Sequence, residues 1–212
     1  MRVRAHGLSL RGPRGWVYRD VDLDVPAGGL AAVHGIEGSG RTALLLTLGG
    51  RMKATSGTGS VGPHPLTDLR AVQRIAALGL VAEVNELDPA LTVREHVGEA
   101  LDLHEGLRGR WRGRRGRIRA ALDRAGLEID EDLPARELAP DEARLLGAAL
   151  ALTGRPGLLL LDDVDHGLPD ARRRALWRRL DAIARSGVTV IAACDDPAPA
   201  EGLARPVPLE ES

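Results

Sequence analysis

The chain has 212 residues with 29 basic and 30 acidic side chains and a net charge of −1, which gives no overall signal for nucleic acid. Such a length buries roughly 70% of the unfolded surface, so one domain, or a domain with a subdomain, folds here without metal staples. The lone cysteine, Cys194, excludes an internal disulfide, and with neither a secretory signal nor a long apolar span the chain reads as cytosolic.

Val3 to Leu10 and Val17 to Val25 alternate apolar and polar residues around Gly12, Pro13 and Gly15, which predicts two antiparallel strands in an N-terminal β layer. An apolar run at 29–34 leads into Gly35-Ile36-Glu37-Gly38-Ser39-Gly40-Arg41-Thr42, and a helix is predicted over 42–50. Strand, glycine-rich loop and helix in that order make a phosphate-binding loop, with arginine where the motif normally has lysine. The glycines let consecutive backbone N–H groups form an anion nest at a helix N-terminus, so Gly35, Gly38, Ser39, Gly40, Arg41, Thr42 and Ala43 are the candidate nucleotide contacts. The Thr42 hydroxyl is a candidate Mg²⁺ ligand. Arg41 keeps the lysine's charge but is planar and broader.

Gly57 to Val61 and Ala76 to Ala82 read as further short strands, and 92–152 as an inserted, richly charged helical subdomain. Leu158 to Leu161 is a short apolar run suited to a buried parallel strand. A helix over 170–184, a strand from Val188 to Ala193 and a final strand in the Pro-containing tail complete the pattern. The expected architecture is α/β, a P-loop NTPase core with an N-terminal antiparallel β layer and the helical insertion, as one domain over 1–212. Asp162, at the end of the buried strand, suits the acid that holds Mg²⁺ in such a fold.

Taken together, the strand pair, the phosphate loop, Leu91-Thr92-Val93-Arg94-Glu95 in the style of an "LTVRE" helix start, and Leu161-Asp162-Asp163 resemble the ATP-binding cassette ATPases of ABC transporters over nearly the whole chain. The resemblance implies ATP or ADP with Mg²⁺ as ligands. It also implies a membrane permease subunit as partner, pairing with a second cassette as homodimer or heterodimer, and a cytoplasmic place at the inner face of the cell membrane. In that family a glutamine before the "LTV" segment contacts Mg²⁺; Glu83 stands there and offers a carboxylate to the metal. The signature "LSGGQ" aligns with Leu138-Ala139-Pro140-Asp141-Glu142, which lacks the serine and both glycines and brings a negative charge. The catalytic glutamate aligns with Asp163, one methylene shorter and a weaker activator of water. The switch histidine aligns with Asp195, and His166 belongs to a different loop. No aromatic stands where the family stacks one on adenine; Trp16 and Tyr18 are the nearest substitutes, with packing roles preferred for both.

These departures share one direction, loss of γ-phosphate sensing, which favours an ADP-like or weak ATP-binding mode over rapid hydrolysis. Glu37, Asp141 and Asp195 bring negative charge toward a triphosphate, Glu37 with the option of facing solvent. Three readings stay open: a degenerate nucleotide-binding subunit with slow or no turnover, an ATPase of reduced activity completed by a second cassette, and a nucleotide-free scaffold in which Arg41 pairs with Glu37 and plugs the nest. The basic run around Trp111, from Arg108 to Arg119, reads first as a solvated face, then as a contact for a transmembrane partner or anionic lipid. Nucleic acid is not expected as a partner, since stacking aromatics are nearly absent.

Overall fold

A computed structural model describes residues 1–81, 84–105 and 113–210. Strands β1 (Val3–Gly12) and β2 (Gly15–Val25) form the expected hairpin, followed by β3 (Leu30–His34), α1 (Arg41–Leu48), β4 (Ser56–Val61), β5 (His64–Pro65), α2 (Leu69–Ile75) and β6 (Ala76–Leu78). Helices α3 (Val93–Glu105), α4 (Arg114–Ala125) and α5 (Pro140–Leu152) then precede β7 (Leu158–Leu161), α6 (Asp170–Arg185), β8 (Thr189–Cys194) and β9 (Arg205–Pro208).

The strands make two sheets. One is antiparallel in the order β2-β1-β4-β5; the other runs β6-β7-β8-β3-β9 with parallel pairing between neighbours. The parallel strands are apolar on both faces because both are covered. In β7, Leu158 and Leu160 face a core shared with the antiparallel sheet, α1 and α2, while Leu159 and Leu161 face a second core filled by α3 to α6. The same alternation divides Ile191 and Ala193 from Val190, Ala192 and Cys194 in β8.

Local chemistry sets the helix starts. Thr92 and Glu95 form a reciprocal cap before α3, with Thr92 N donating to Glu95 Oε2 at 2.8 Å and Glu95 N donating to Thr92 Oγ1 at 3.3 Å. Asp68 Oδ1 accepts from Ala71 N at 3.0 Å and starts α2, a helix that the strand-and-loop pattern of this region did not anticipate. Pro140 opens α5, where its missing N–H costs nothing. Among the described residues no helix is long and apolar enough to cross a membrane.

Candidate nucleotide site

Parallel register decides what meets at the site. His34 pairs with Cys194 and Leu161 with Ala192, so the segments leaving β3, β7 and β8 emerge side by side at the carboxyl ends of adjacent strands. In open α/β sheets this edge is where ligands bind. A cleft of about 590 Å³ opens there, lined by the start of the phosphate loop, Arg41, Asp163, His166 and Asp195.

The loop itself depends on glycine at defined points. Gly38 and Gly40 have φ of 82° and 88°, a left-handed backbone that side chains rarely tolerate. At Gly40 a Cβ would also collide with the Val17 carbonyl, because the tip of β2 abuts the loop. Ser39 is buried, its N–H donates to Ile36 O at 3.1 Å, and its Oγ has no hydrogen-bond partner among the described residues. The N–H groups of Gly38, Gly40, Arg41, Thr42 and Ala43 likewise have no acceptor among the described residues, which leaves a row of donors at the N-terminus of α1. Such a cradle fits phosphate oxygens.

Thr42 Oγ1 donates to Asp162 Oδ2 at 2.6 Å, so the two candidate Mg²⁺ ligands converge. Burial pushes the Asp162 carboxyl above its ordinary pKa, opposed by the Thr42 hydrogen bond. Glu83, the third candidate ligand, lies outside the described residues.

Arg41 is engaged by groups outside the loop. Its Nη1 donates at 2.5 Å to both Cys194 O and Asp195 Oδ1, and its Nη2 lies 3.2 Å from Asp163 Oδ1. The Arg41 side chain is only 9% exposed, while Asp163 and Asp195 are about half exposed, at 50% and 48%. Burial works against the guanidinium's charge, yet the hydrogen bond to Asp195 and the charge of Asp163 outweigh it and raise the pKa. Asp195 is correspondingly held below the usual carboxylate range by Arg41. Glu37 is exposed, and Arg41's ion pairs among the described residues are with the two aspartates, so the plug envisaged between Arg41 and Glu37 is not the arrangement found.

Asp163 adopts φ of 41°, unusual for a non-glycine residue. It is held from three sides: its N–H donates to Asp162 Oδ1 at 3.1 Å, its carboxylate faces Arg41, and its carbonyl accepts from Arg144 Nε at 3.0 Å. Arg144 also donates to His166 O at 2.6 Å and Pro140 O at 3.0 Å, linking the head of α5 to the segment after β7. Neither Arg144 nor Asp165 stood out in the sequence. Asp165 is 1% exposed and accepts from the N–H groups of Asp195 at 3.1 Å and Asp196 at 3.4 Å, tying two site loops together. Burial raises its pKa, and those N–H donors oppose the rise.

His166, assigned by sequence to a different loop, nonetheless lines the same cleft, with Nδ1 3.6 Å from Asp195 Oδ2. The chain's course after β7 brings it there. Asp141 pairs with Arg172 at 2.7 Å rather than standing free. Tyr18 is buried and its hydroxyl donates to Thr47 at 2.8 Å, a packing role. The guanidiniums of Arg11 and Arg19 lie over the Trp16 ring, 5.6 and 5.5 Å from its centroid. Of the basic run, Arg108, Arg110, Trp111 and Arg112 lie outside the described residues, and Arg114 pairs with Asp102.

The family model described as ABC transporter matches residues 18–165. The chain belongs to the ABC transporter family. Within this family it is 35% identical over 151 residues to the lipoprotein-releasing system ATP-binding protein LolD 1 of Caulobacter vibrioides, a match covering 69% of this chain and 64% of that protein. It is 35% identical over 193 residues to the Fe(3+) ions import ATP-binding protein FbpC of Pseudomonas fluorescens, covering 86% of this chain and 51% of that one. With ATP-binding cassette sub-family A member 2 of Rattus norvegicus the identity is 32% over 171 residues, 80% of this chain but 7% of the relative. The chain thus spans less than two thirds of these curated relatives. Among solved structures, the ABC cassette MJ0796, in a dimeric post-hydrolysis state bound to ADP and Pi, superposes with a TM-score of 0.76 at 23% identity, covering 98% of this chain and 94% of that one. CbiO1 of Clostridium perfringens gives 0.77 at 21%, covering 92% and 78%. These likenesses fix the fold as that of an ABC cassette.

Proposed function

We propose that this chain is the nucleotide-binding subunit of an ABC-type transporter whose γ-phosphate chemistry is altered, so that it binds ATP or ADP with slow or no hydrolysis. The observation that carries the reading is the engagement of Arg41 by Asp195 and Asp163 beside an open phosphate nest. The backbone donors from Gly38 to Ala43 would hold the phosphates, and Thr42 and Asp162 would hold Mg²⁺, with Glu83 as a further candidate ligand. Bound Mg²⁺ would neutralise phosphate charge. Asp163, the weak catalytic candidate, would have to orient water while its carboxylate is shared with Arg41 and its backbone is pinned by Arg144.

Relatives named as ATP-binding proteins of import and release systems support a membrane permease as partner and a cytoplasmic position at the inner face of the membrane. The dimeric MJ0796 structure supports pairing with a second cassette, identical or not. An ATPase of reduced turnover completed by another cassette is the second reading, favoured by the convergence of Thr42 and Asp162. Steady-state phosphate release by the purified chain with its permease separates the two. The first reading predicts turnover at background and unchanged by Asp163→Asn. A rate lost on Asp163→Asn establishes the second.

A further inference from the structure

We propose that the site prefers a nucleoside diphosphate to the triphosphate because the cation that would meet the terminal phosphate is already held by two of the chain's own carboxylates. The proposal rests on the nucleotide-binding reading above and names the ligand class of that site.

Two sets of groups face a polyphosphate here, and they differ in what binding displaces. The N–H groups of Gly38 and of Gly40 through Ala43 have no acceptor among the described residues, so phosphate oxygens entering the nest break no hydrogen bond there. Arg41 is the opposite case. Nη1 serves Cys194 O and Asp195 Oδ1, Nη2 serves Asp163, and the side chain is nine-tenths buried. In a phosphate loop the backbone cradles the inner phosphates and the cation reaches the β and γ groups. A third phosphate must therefore draw Arg41 from Asp195 or Asp163, or share it with both. Each course leaves carboxylate charge facing phosphate charge with less compensation. Like charges a few ångströms apart in such a partly wetted site weaken binding by about tenfold or more.

Further contacts hold the cage in place. The Cys194 carbonyl belongs to β8 and cannot swing away, Arg144 pins the Asp163 carbonyl, and Asp165 receives the Asp195 N–H. The acids are therefore set against the cation by the fold itself. A diphosphate meets the cation with one phosphate group instead of two, so it disturbs the cage less.

The test is calorimetric titration with ADP and with ATP, both in EDTA so that metal held by Thr42 and Asp162 does not enter. Wild type, Asp195→Asn and Asp163→Asn are compared, since asparagine keeps the shape and removes the charge. Wild type is expected to bind ADP about tenfold more tightly than ATP, and each variant to close that gap by strengthening ATP while ADP moves less than about twofold. Equal wild-type affinities, or variants that strengthen both nucleotides alike, overturn the proposal. The titrations are repeated with Mg²⁺, where the same ratio is read if EDTA leaves no measurable binding; no binding of either nucleotide to any of the three proteins in both conditions overturns the nucleotide reading beneath it. Both aspartates are half exposed, and thermal unfolding of each variant checks the fold; should either fail to fold, the wild-type ratio of ADP to ATP affinity decides alone.

Discussion

Arg41 and Asp195, 154 positions apart in the chain, meet at 2.5 Å because β3 and β8 are parallel neighbours in register. One residue heads the helix after β3 and the other follows β8 directly, so pairing His34 with Cys194 leaves them facing each other. The same guanidinium reaches Asp163, just past β7, the next strand over.

Removing this cation has a pH signature. Asp195 is held below the usual carboxylate range by Arg41, so its share of stability is present above its unfolded value and lost as pH falls through the lower folded value. In Arg41→Ala the melting temperature should therefore depend less on pH below about 4 than in wild type. At neutral pH the loss from that pair should be about 1 kcal/mol or less, since Asp195 is 48% exposed and water screens it. Thermal unfolding of both proteins from pH 7 to 3 measures it; parallel curves would contradict the assignment.

Two glycines of the loop should respond differently to alanine. Gly38→Ala meets open space and bears only the left-handed backbone cost of about 1–2 kcal/mol. Gly40→Ala bears that cost and also drives Cβ into the Val17 carbonyl, so it should be clearly more destabilising and should shift the β2 tip against α1. Urea unfolding of the pair gives the ranking.

Metal dependence should run through Thr42. Its hydroxyl sits 2.6 Å from Asp162, and Thr42→Val keeps the branched shape while deleting the oxygen. The gain in ATP or ADP affinity on adding Mg²⁺ should fall by about tenfold or more, whereas affinity in EDTA should stay within about twofold. A loss equal in both conditions would mean that the residue serves the loop's fold instead.

Arg144→Ala should loosen the segment after β7. Three carbonyls, of Asp163, His166 and Pro140, lose a charged donor, and the left-handed Asp163 loses one of its restraints. The expected cost is about 1.5–3 kcal/mol by chemical denaturation, from hydrogen bonds to a charged group in a half-buried setting. Hydrogen exchange should rise at 163–168 more than in α5. A uniform rise would show a general loss of stability instead.

Strands, their alternation and the strand-loop-helix order were legible because side-chain period and glycine spacing are local properties. Both faces of β7 and β8 are apolar in sequence for the reason seen in the fold: two separate cores press on them. Helix α2 escaped because seven residues give too short a pattern, although Asp68 followed by Leu69, Val72 and Ile75 is a capped apolar spacing in hindsight. The partner of Arg41 was not readable either. The pairing envisaged from the sequence was with Glu37, four residues away, yet in the fold Glu37 is exposed and Asp195 bonds the guanidinium.

By itself the sequence determined that a glycine-rich loop stands between a buried strand and a helix; through its resemblance to the family it put forward Thr42 and Asp162 as candidate metal ligands and aligned Arg41, Asp163 and Asp195 with the family's lysine, glutamate and histidine. Residue identity and spacing carry that much because backbone donors and strand ends are defined within a few positions. Tertiary structure decided what those replacements do to one another. Parallel register joins the ends of β3, β7 and β8, and only there do Arg41, Asp163, Asp195 and His166 share one cleft. Contacts of this kind depend on strand pairing across more than a hundred residues, which no local pattern encodes.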